Sequence, residues 1–339
     1  MRALFVPVLI VGAASCGDNK DGPIDSATPD TTTLIDAAID AIPVDAPDPR
    51  NATYLLGNSN SANGIYWDAT AKKLYLTESN ANALLSWTDA AHTFSIHSQF
   101  PIPVPATAQV SLGDILPNTD GTFIVSNFFA SNLVKAPAAA QSMGSAITVT
   151  DGTAMRRRIG LSRNPAGDVY AATFVGGGGM NQTGAITKLT ITGATATEEI
   201  VVTNIDTSTT FKKLVGIVAT NTALWVTQQD GGRLADDVDN ALYKVDLPLA
   251  TPPVVTKIKD TMHYADLLVP LPNGDFLTGC KMAVCRITQA GVETQLTALG
   301  TFEDVRGLAY DADMQRLFII NHSNTVTTGD KLEIRPFTP

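Results

Sequence analysis

The stretch that decides the fold is Gly307-Leu308-Ala309-Tyr310-Asp311, followed after four residues by Arg316-Leu317-Phe318-Ile319-Ile320-Asn321. Two short apolar runs separated by a tight turn predict a β-hairpin whose second strand carries a central aromatic residue. Variants of this hairpin recur through the chain. The repeat therefore indicates the architecture more strongly than the composition does.

Six copies of the hairpin can be aligned. They start at Gly64, Asp114, Gly160, Gly216, Asp266 and Gly307, which lie 50, 46, 56, 50 and 41 residues apart. The central aromatic residues of the second strands are Tyr75, Phe123, Tyr170, Trp225, Phe276 and Phe318. A period of this length, with several short strands in each repeat, is typical of a β-propeller with four-stranded blades. We expect the aromatic residues to pack between neighbouring blades.

The last copy is incomplete, because only residues 336–339 follow its third strand and leave no room for a fourth. An unassigned run of suitable length, Thr53–Leu56, precedes the first copy. Pairing that run with the last copy removes an open sheet edge. The sequence therefore predicts an all-β fold over residues 51–339: a six-bladed β-propeller with four-stranded blades, closed by an N-terminal outer strand in the last blade.

The N-terminus has the pattern of an export signal. Arg2 is followed by an apolar run over residues 4–11 and then by small residues. Ala13-Ala14-Ser15-Cys16 resembles a bacterial lipobox, which implies a signal peptide over residues 1–16 and lipidation of Cys16. Gly17 after the cysteine favours an outer-membrane lipoprotein of the bacterial envelope. An ordinary secretory signal cleaved near Cys16 is the alternative.

Residues 17–50 are rich in Asp, Pro, Ala and Thr and contain eight Asp against two basic residues, Lys20 and Arg50. Because the segment has few large apolar residues, their burial cannot offset the entropy lost on ordering the chain. We therefore expect a disordered acidic linker. Extended at roughly 3 Å per residue, it could hold the domain on the order of 100 Å from a membrane. A short Ala/Asp helix over residues 34–42 is the alternative. The net charge of -10 does not favour nucleic acid as a partner.

The remaining cysteines, Cys280 and Cys285, are five positions apart. In an exported protein such a pair is expected to form a disulfide, here across a β-hairpin with a four-residue loop. A redox role is the alternative, but the spacing is not that of a C-x-x-C motif.

Two motifs, Asn63-Gly64-Ile65-Tyr66-Trp67-Asp68 and Asn273-Gly274-Asp275-Phe276, resemble the six-bladed propellers of the NHL-repeat and senescence-marker/gluconolactonase superfamily. The resemblance covers residues 52–337. It implies lactone hydrolysis with a divalent metal held near the axis by a Glu from the first blade and Asn and Asp from later blades. In this chain Asn63 stands in place of the Glu, and Ile159 and Val215 open the third and fourth blades. Glu78, Asp114 and Asp266 are the candidates for a rearranged site for Ca²⁺ or Zn²⁺.

Inner-strand starts and the loops after second strands lie on the same face of a propeller, so their side chains converge on the mouth of the central channel. We expect a ligand-binding site there, built from Asn63, Glu78, Asp114, Asn127, Arg158, Gln228, Asp266, Lys281, Arg306 and His322. The cations of Arg156–Arg158, Lys212–Lys213 and Arg306 favour a small anionic molecule, or a carboxylate-bearing glycan or peptide. The alternative is that these cations pair with acids in nearby loops.

These observations support three hypotheses of function. The first is a membrane-tethered, non-catalytic propeller whose loop face binds a ligand or partner protein and needs no cofactor. The second is a metal-dependent lactone or ester hydrolase with altered metal ligands. The third is a purely architectural envelope protein. The sequence alone assigns no catalytic residue.

Overall fold

The computed structural model describes residues 48–56, 61–101, 110–150, 156–176, 182–229, 240–280, 282–298, 300–323 and 329–339. These residues belong to a compact unit spanning Pro47–Pro339. The predicted signal peptide, Cys16, the linker up to residue 47 and Lys281 lie outside the described residues.

The fold is all-β and propeller-like. Among the described residues there is no helix, and hence none long and apolar enough to span a membrane. The strands are β1 (Ala52–Leu55), β2 (Ala62–Asp68), β3 (Lys73–Glu78), β4 (Ala83–Trp87), β5 (Ser95–Gln99), β6 (Leu112–Pro117), β7 (Phe123–Asn127), β8 (Asn132–Ala136), β9 (Ser142–Met143), β10 (Ser145–Thr150), β11 (Arg157–Arg163), β12 (Val169–Val175), β13 (Thr183–Thr192), β14 (Thr195–Val202), β15 (Lys213–Ala219), β16 (Ala223–Gln229), β17 (Ala241–Asp246), β18 (Val255–Lys259), β19 (Ala265–Pro270), β20 (Phe276–Cys280), β21 (Val284–Ile287), β22 (Glu293–Gln295), β23 (Val305–Asp311), β24 (Arg316–Asn321) and β25 (Lys331–Pro336).

The described strands form five hydrogen-bonded sheets. Their strand orders are β2-β3-β4-β5-β9, β15-β16-β17-β18, β19-β20-β21-β22, β1-β25-β24-β23, and an eight-stranded sheet β11-β12-β13-β14-β10-β8-β7-β6. In the eight-stranded sheet, a parallel pair, β10 and β14, joins two antiparallel ladders. Each aligned hairpin of the sequence thus forms the first two strands of an antiparallel ladder.

The first strand of every ladder carries a register irregularity at the same place, for example between Ala62 and Ile65 and between Leu214 and Ile217. A bulge of this kind redirects the side chains beside it. It makes six positions equivalent, which we call the ring position: Asn63, Gly113, Ile159, Val215, Asp266 and Arg306. Neighbouring first strands approach closely there, since a Cβ added to Gly307 would lie 2.3 Å from the Asn63 carbonyl oxygen.

The hydrophobic core lies between successive ladders. The aromatic residues predicted to be core are buried. Tyr75 and Phe123, from the first and second repeats, pack with tilted rings whose centroids lie 4.5 Å apart. Trp225 and Phe276, from the fourth and fifth repeats, pack in the same way with ring centroids 5.1 Å apart. Trp67, on the first strand of the first repeat, packs against Phe318 of the last repeat with centroids 4.9 Å apart. The last contact joins the first repeat to the final one, so the packed ladders close on themselves.

Strand pairing reinforces this closure. β1 pairs antiparallel with β25, as predicted for the N-terminal strand, with Thr53 opposite Glu333. The fully buried Asp330 accepts hydrogen bonds from the backbone amides of Ala62 (2.8 Å) and Ser323 (2.9 Å). One carboxylate therefore links the first and last repeats.

The predicted disulfide between Cys280 and Cys285 is present, with the two Cα atoms 5.7 Å apart. It spans the turn between β20 and β21, and both cysteines are buried with Ala283. The pair is thus part of the packing of one hairpin.

Candidate functional site

A pocket of about 360 Å³ lies at one end of the central channel, at the mouth predicted from the sequence. We call it the mouth pocket. Part of its wall is formed by ring-position residues and by residues two positions earlier in the chain, because alternate residues of an extended segment point the same way. Its lining residues are Asn63, Ser111, Gly113, Phe128, Phe129, Arg157, Ile159, Phe174, Gln182, Lys213, Val215, Gln229, Tyr264, Asp266, Leu267 and Arg306.

Two of the pocket's cations are held against aromatic rings. The Arg157 guanidinium lies 4.7 Å from the ring centroid of Phe129 and 5.6 Å from that of Phe174. Lys213 Nζ lies 5.9 Å from the Phe174 centroid and donates a hydrogen bond to Gln229 Oε1 at 2.7 Å. Within the described ranges, no carboxylate pairs with Arg157. Its planar guanidinium is thus oriented by the rings while its donors stay available to a ligand.

The third cation, Arg306, sits at the ring position. Its Nη1 donates to Asn63 Oδ1 at 3.0 Å, and its Nε lies 3.3 Å from Asp304 Oδ2. Asp266 occupies the ring position of another ladder. Among the described residues that line the pocket, it is the one carboxylate. The mouth pocket thus combines three cations and one acid with aromatic and aliphatic walls.

Arg158, which the sequence placed at the mouth, lies elsewhere. It is fully buried and pairs with Glu198 through Nε–Oε1 (2.9 Å) and Nη2–Oε2 (2.6 Å). Its Nη1 donates to the carbonyl oxygen of Ser131 at 2.8 Å. Because successive residues of β11 point to opposite faces, Arg157 faces the pocket instead. The alternation Arg157, Ile159 was the signal that could have identified the right arginine.

Four other predicted mouth residues contact neighbouring backbone or side-chain groups. Asn127 accepts from the Ser111 amide (3.1 Å), and Gln228 accepts from the Lys212 amide (2.8 Å). Glu78 is buried and accepts from the Ser61 hydroxyl and the amides of Asn80 and Ala81. His322 Nδ1 lies 2.9 Å from Asp330 Oδ1. None of the four lines the mouth pocket, whereas Asn63, Asp266 and Arg306 do.

Asp114 is directed toward the other end of the channel, because it stands one residue after the ring position, where most ladders have glycine. It lines a separate cavity of about 700 Å³, which we call the second cavity. Its Oδ1 accepts from the Ile115 amide and its Oδ2 from the Leu161 amide, both at 2.9 Å. Burial raises the pKa of Asp114 to about 7, and the charge of Asp266 adds to the rise, while the two amides oppose it.

The ring position does not fit the divalent metal that the resemblance implies. Ile159 and Val215 offer no side-chain oxygen, the Asn63 oxygen accepts from Arg306, and Asp266 is the remaining carboxylate. A cation at Arg306 also opposes a second positive charge nearby. The structure does not gather Glu78, Asp114 and Asp266 into one site. Among the described residues, the His263, Cys285 and Glu293 side chains approach one another closely enough for a metal, but Cys285 is in the disulfide.

No protein-family model and no curated protein matches this chain. Solved structures do match. A gluconolactonase from Xanthomonas campestris is 12% identical with a TM-score of 0.60, covering 84% of this chain and 89% of that chain. A luciferin-regenerating enzyme is 13% identical with a TM-score of 0.58, covering 85% of this chain and all (100%) of that one. A calcium-binding protein, regucalcin, from Agrobacterium tumefaciens is 14% identical with a TM-score of 0.58, covering 85% and 97%. At this identity the likeness shows the fold, which is that of gluconolactonase- and regucalcin-like β-propellers.

Proposed function

We propose that the mouth pocket is the active site of a hydrolase that opens a small lactone or ester to give a carboxylate. The observation that carries the proposal is that Asp266 and three cations line one pocket with otherwise largely apolar walls. The structural neighbours favour this hydrolase hypothesis over binding alone, since they include a gluconolactonase. The proposal does not use the metal of that family.

The chemistry follows from the charges. Opening a lactone requires a water nucleophile and stabilisation of the negative charge that develops on the carbonyl oxygen. Asp266 can accept the proton of the attacking water and return it to the leaving alkoxide oxygen when the acyl C–O bond breaks, giving the alcohol and the carboxylic acid. Arg157, Lys213 and Arg306 can stabilise the developing oxyanion and then the carboxylate product, and the walls of the pocket limit access of other water.

The test is turnover of a panel of γ-lactones, δ-lactones and aryl esters by the purified full chain, followed by acid release at constant pH. We expect Asp266→Asn to lower kcat by about 100-fold or more, the usual contribution of a general base. Arg157→Gln should mainly raise KM. Lys135→Gln removes a cation outside the mouth pocket and is the matched control, expected to behave as the parent protein.

The effect of divalent metals on activity is an independent test of the proposal. Activity should be the same after chelation and after addition of Ca²⁺ or Zn²⁺, because the ring position does not fit a divalent ion. Turnover that appears only with one of these metals would contradict this interpretation and favour a metal-dependent hydrolase.

The second candidate is a binding protein without turnover, favoured by the availability of Arg157 to an anionic small molecule, glycan or protein. It predicts benzoate binding that Arg157→Gln weakens, with no hydrolysis of any compound in the panel. That pair of results would replace the hydrolase proposal with the binding one.

We further propose that the propeller has six four-stranded blades over residues 51–339. The recurring bulge in six first strands supports this, as do the core contacts between successive repeats.

Residues 17–50 are proposed to be a linker, and Cys16 a lipid anchor to the bacterial outer membrane. Cys16→Ala should release the protein from the membrane fraction, whereas Ser15→Ala should not. Retention of the Cys16→Ala protein in the membrane fraction would contradict the anchor.

A further inference from the structure

The second cavity has no role in the proposed hydrolysis, and its chemistry differs from that of the mouth pocket. It is lined mainly by the later parts of the first strands, including Leu161, Ile217 and Leu308. With about 700 Å³ it is larger than the mouth pocket and is open to solvent. A cavity of this size with few polar groups suits a small organic ligand.

Asp114 is the one carboxylate among the described residues that line this cavity. Part of its side-chain surface remains accessible to the cavity even though the group lies deep in the molecule. The two backbone amides at 2.9 Å fix the carboxyl orientation. An acid held in apolar surroundings interacts strongly with any cation that replaces its lost hydration.

The aromatic residues of the cavity also favour a cationic ligand. Tyr66 and Tyr310 line it and are partly exposed. The Tyr66 ring is tilted against Phe123 with centroids 6.1 Å apart, and the Tyr310 ring meets Phe337 edge-on at 5.5 Å. Aromatic faces attract organic cations. The basic residue of the lining, Arg163, is occupied, since it donates to the Pro117 carbonyl oxygen at 3.3 Å and to Asn118 Oδ1.

We propose that the second cavity binds a small organic ammonium ion, with Asp114 as its counter-ion and the apolar walls around its hydrocarbon part. The ligand class is thus opposite in charge to that of the mouth pocket. This site is independent of the proposed hydrolysis and does not require it.

The binding is pH-dependent. The charge of Asp266 acts on Asp114 from the mouth side, and Arg163 is the other charged residue in the described lining of the cavity. Because burial raises the pKa of Asp114 to about 7, the carboxyl is largely neutral at pH 6 and ionised at pH 8. The affinity for a permanent cation therefore rises between these two values, and binding near pH 7 releases protons.

The test is calorimetry of the full chain with phenyltrimethylammonium, which does not titrate, and with benzoate as the anionic counterpart. We expect affinity for the cation to be about tenfold higher at pH 8 than at pH 6, because the ionised fraction of Asp114 rises about tenfold across its pKa of about 7. Proton release at pH 7, measured in two buffers of different ionisation enthalpy, needs no variant and therefore does not depend on any variant folding.

Asp114→Asn removes the opposite charge, so it should weaken cation binding about tenfold at pH 8 and abolish the proton release. Arg157→Gln, in the mouth pocket, is the control and should leave cation binding unchanged. The proposal is overturned if the parent protein does not bind the cation, if its affinity does not rise between pH 6 and 8, or if Asp114→Asn binds it as tightly.

Discussion

Two adjacent arginines lie in different surroundings, one at the mouth pocket and the other in the buried interior. Arg157 faces the mouth pocket between Phe129 and Phe174, while Arg158 is buried against Glu198. The same charge therefore lies in the mouth pocket at one position and in a buried ion pair at the next.

This contrast predicts different effects on stability. Arg158→Gln leaves the buried Glu198 without its bidentate partner, so the free energy of unfolding should fall by about 3–5 kcal/mol. Arg157→Gln removes no such pair and should change it by about 0.5 kcal/mol at most. Urea unfolding of the full-length variants measures both values. Equal losses for the two variants would contradict the placement of Arg158.

Sequence reasoning placed Asn63, Asp266 and Arg306 at the channel mouth, and all three line the mouth pocket because each occupies the ring position of its strand. It misplaced Arg158 because a run of three arginines hides which one faces the channel. It misplaced Asp114 because the alignment makes Asp114 and Asp266 equivalent, whereas Asp266 occupies the ring position and Asp114 stands one residue after it. The position of a bulge depends on pairing with the next strand, so the side-chain direction at Asp114 could not be inferred from its own strand.

At the scale of the element, the bulged first strands depend on close backbone approach. A Cβ on Gly307 would lie 2.3 Å from the Asn63 carbonyl oxygen, which is backbone and cannot rotate away. We expect Gly307→Ala to lower the free energy of unfolding by about 1–3 kcal/mol, as overpacking does. Thermal and urea unfolding of the variant give the value.

A second glycine provides the comparison for this prediction. Gly193 lies in a turn at φ 61° with no neighbour within 4 Å of an added Cβ. Gly193→Ala should cost about 1 kcal/mol from backbone strain alone. If Gly307→Ala cost less than Gly193→Ala, close approach of the first strands would not be what requires the glycine.

The disulfide-bonded hairpin gives the second prediction at this scale. Cys280–Cys285 closes a loop with a sequence separation of 5, so it restricts the unfolded chain only slightly. Replacing both cysteines with serine should therefore lower stability by about 2 kcal/mol without unfolding the protein. Reduction of the parent protein should give a loss of similar size. Complete unfolding of the double variant would show a larger structural role.

The strands themselves were the part of the fold that sequence reasoning predicted best, since alternating apolar runs and turn residues are local signals. The pairing of β1 with β25 was also predicted, from the missing outer strand of the last repeat. The parallel pairing of β10 with β14 was not, because contacts between neighbouring ladders leave no periodic pattern in either strand.

At the scale of the whole molecule, closure between the first and last repeats decides whether the ladders act as one unit. Asp330 accepts two backbone hydrogen bonds across this junction, from Ala62 and Ser323. Asp330→Ala would leave both amides unsatisfied in a buried position. Each such donor costs about 1–3 kcal/mol.

We therefore expect Asp330→Ala to destabilise the entire compact unit, not one ladder. Tryptophan fluorescence reports on Trp67 and Trp87 in the first repeat and on Trp225 far along the chain, and circular dichroism reports on all strands. Both transitions should shift together to lower urea concentration. Asp313→Ala, which removes an exposed pair with Lys72, should leave the midpoint unchanged. A separate early transition for fluorescence would contradict closure by Asp330.

The turn between β23 and β24 receives both ends of the described chain. Arg316 donates to the carbonyl oxygen of Pro49 at 3.3 Å, and the Phe337 amide donates to Gln315 at 2.8 Å. This turn lies at the opposite ends of the strands from the mouth pocket. An affinity handle or a sensor chip joined through either end would therefore leave the pocket facing solution, so that ligand screening could be carried out on immobilised protein.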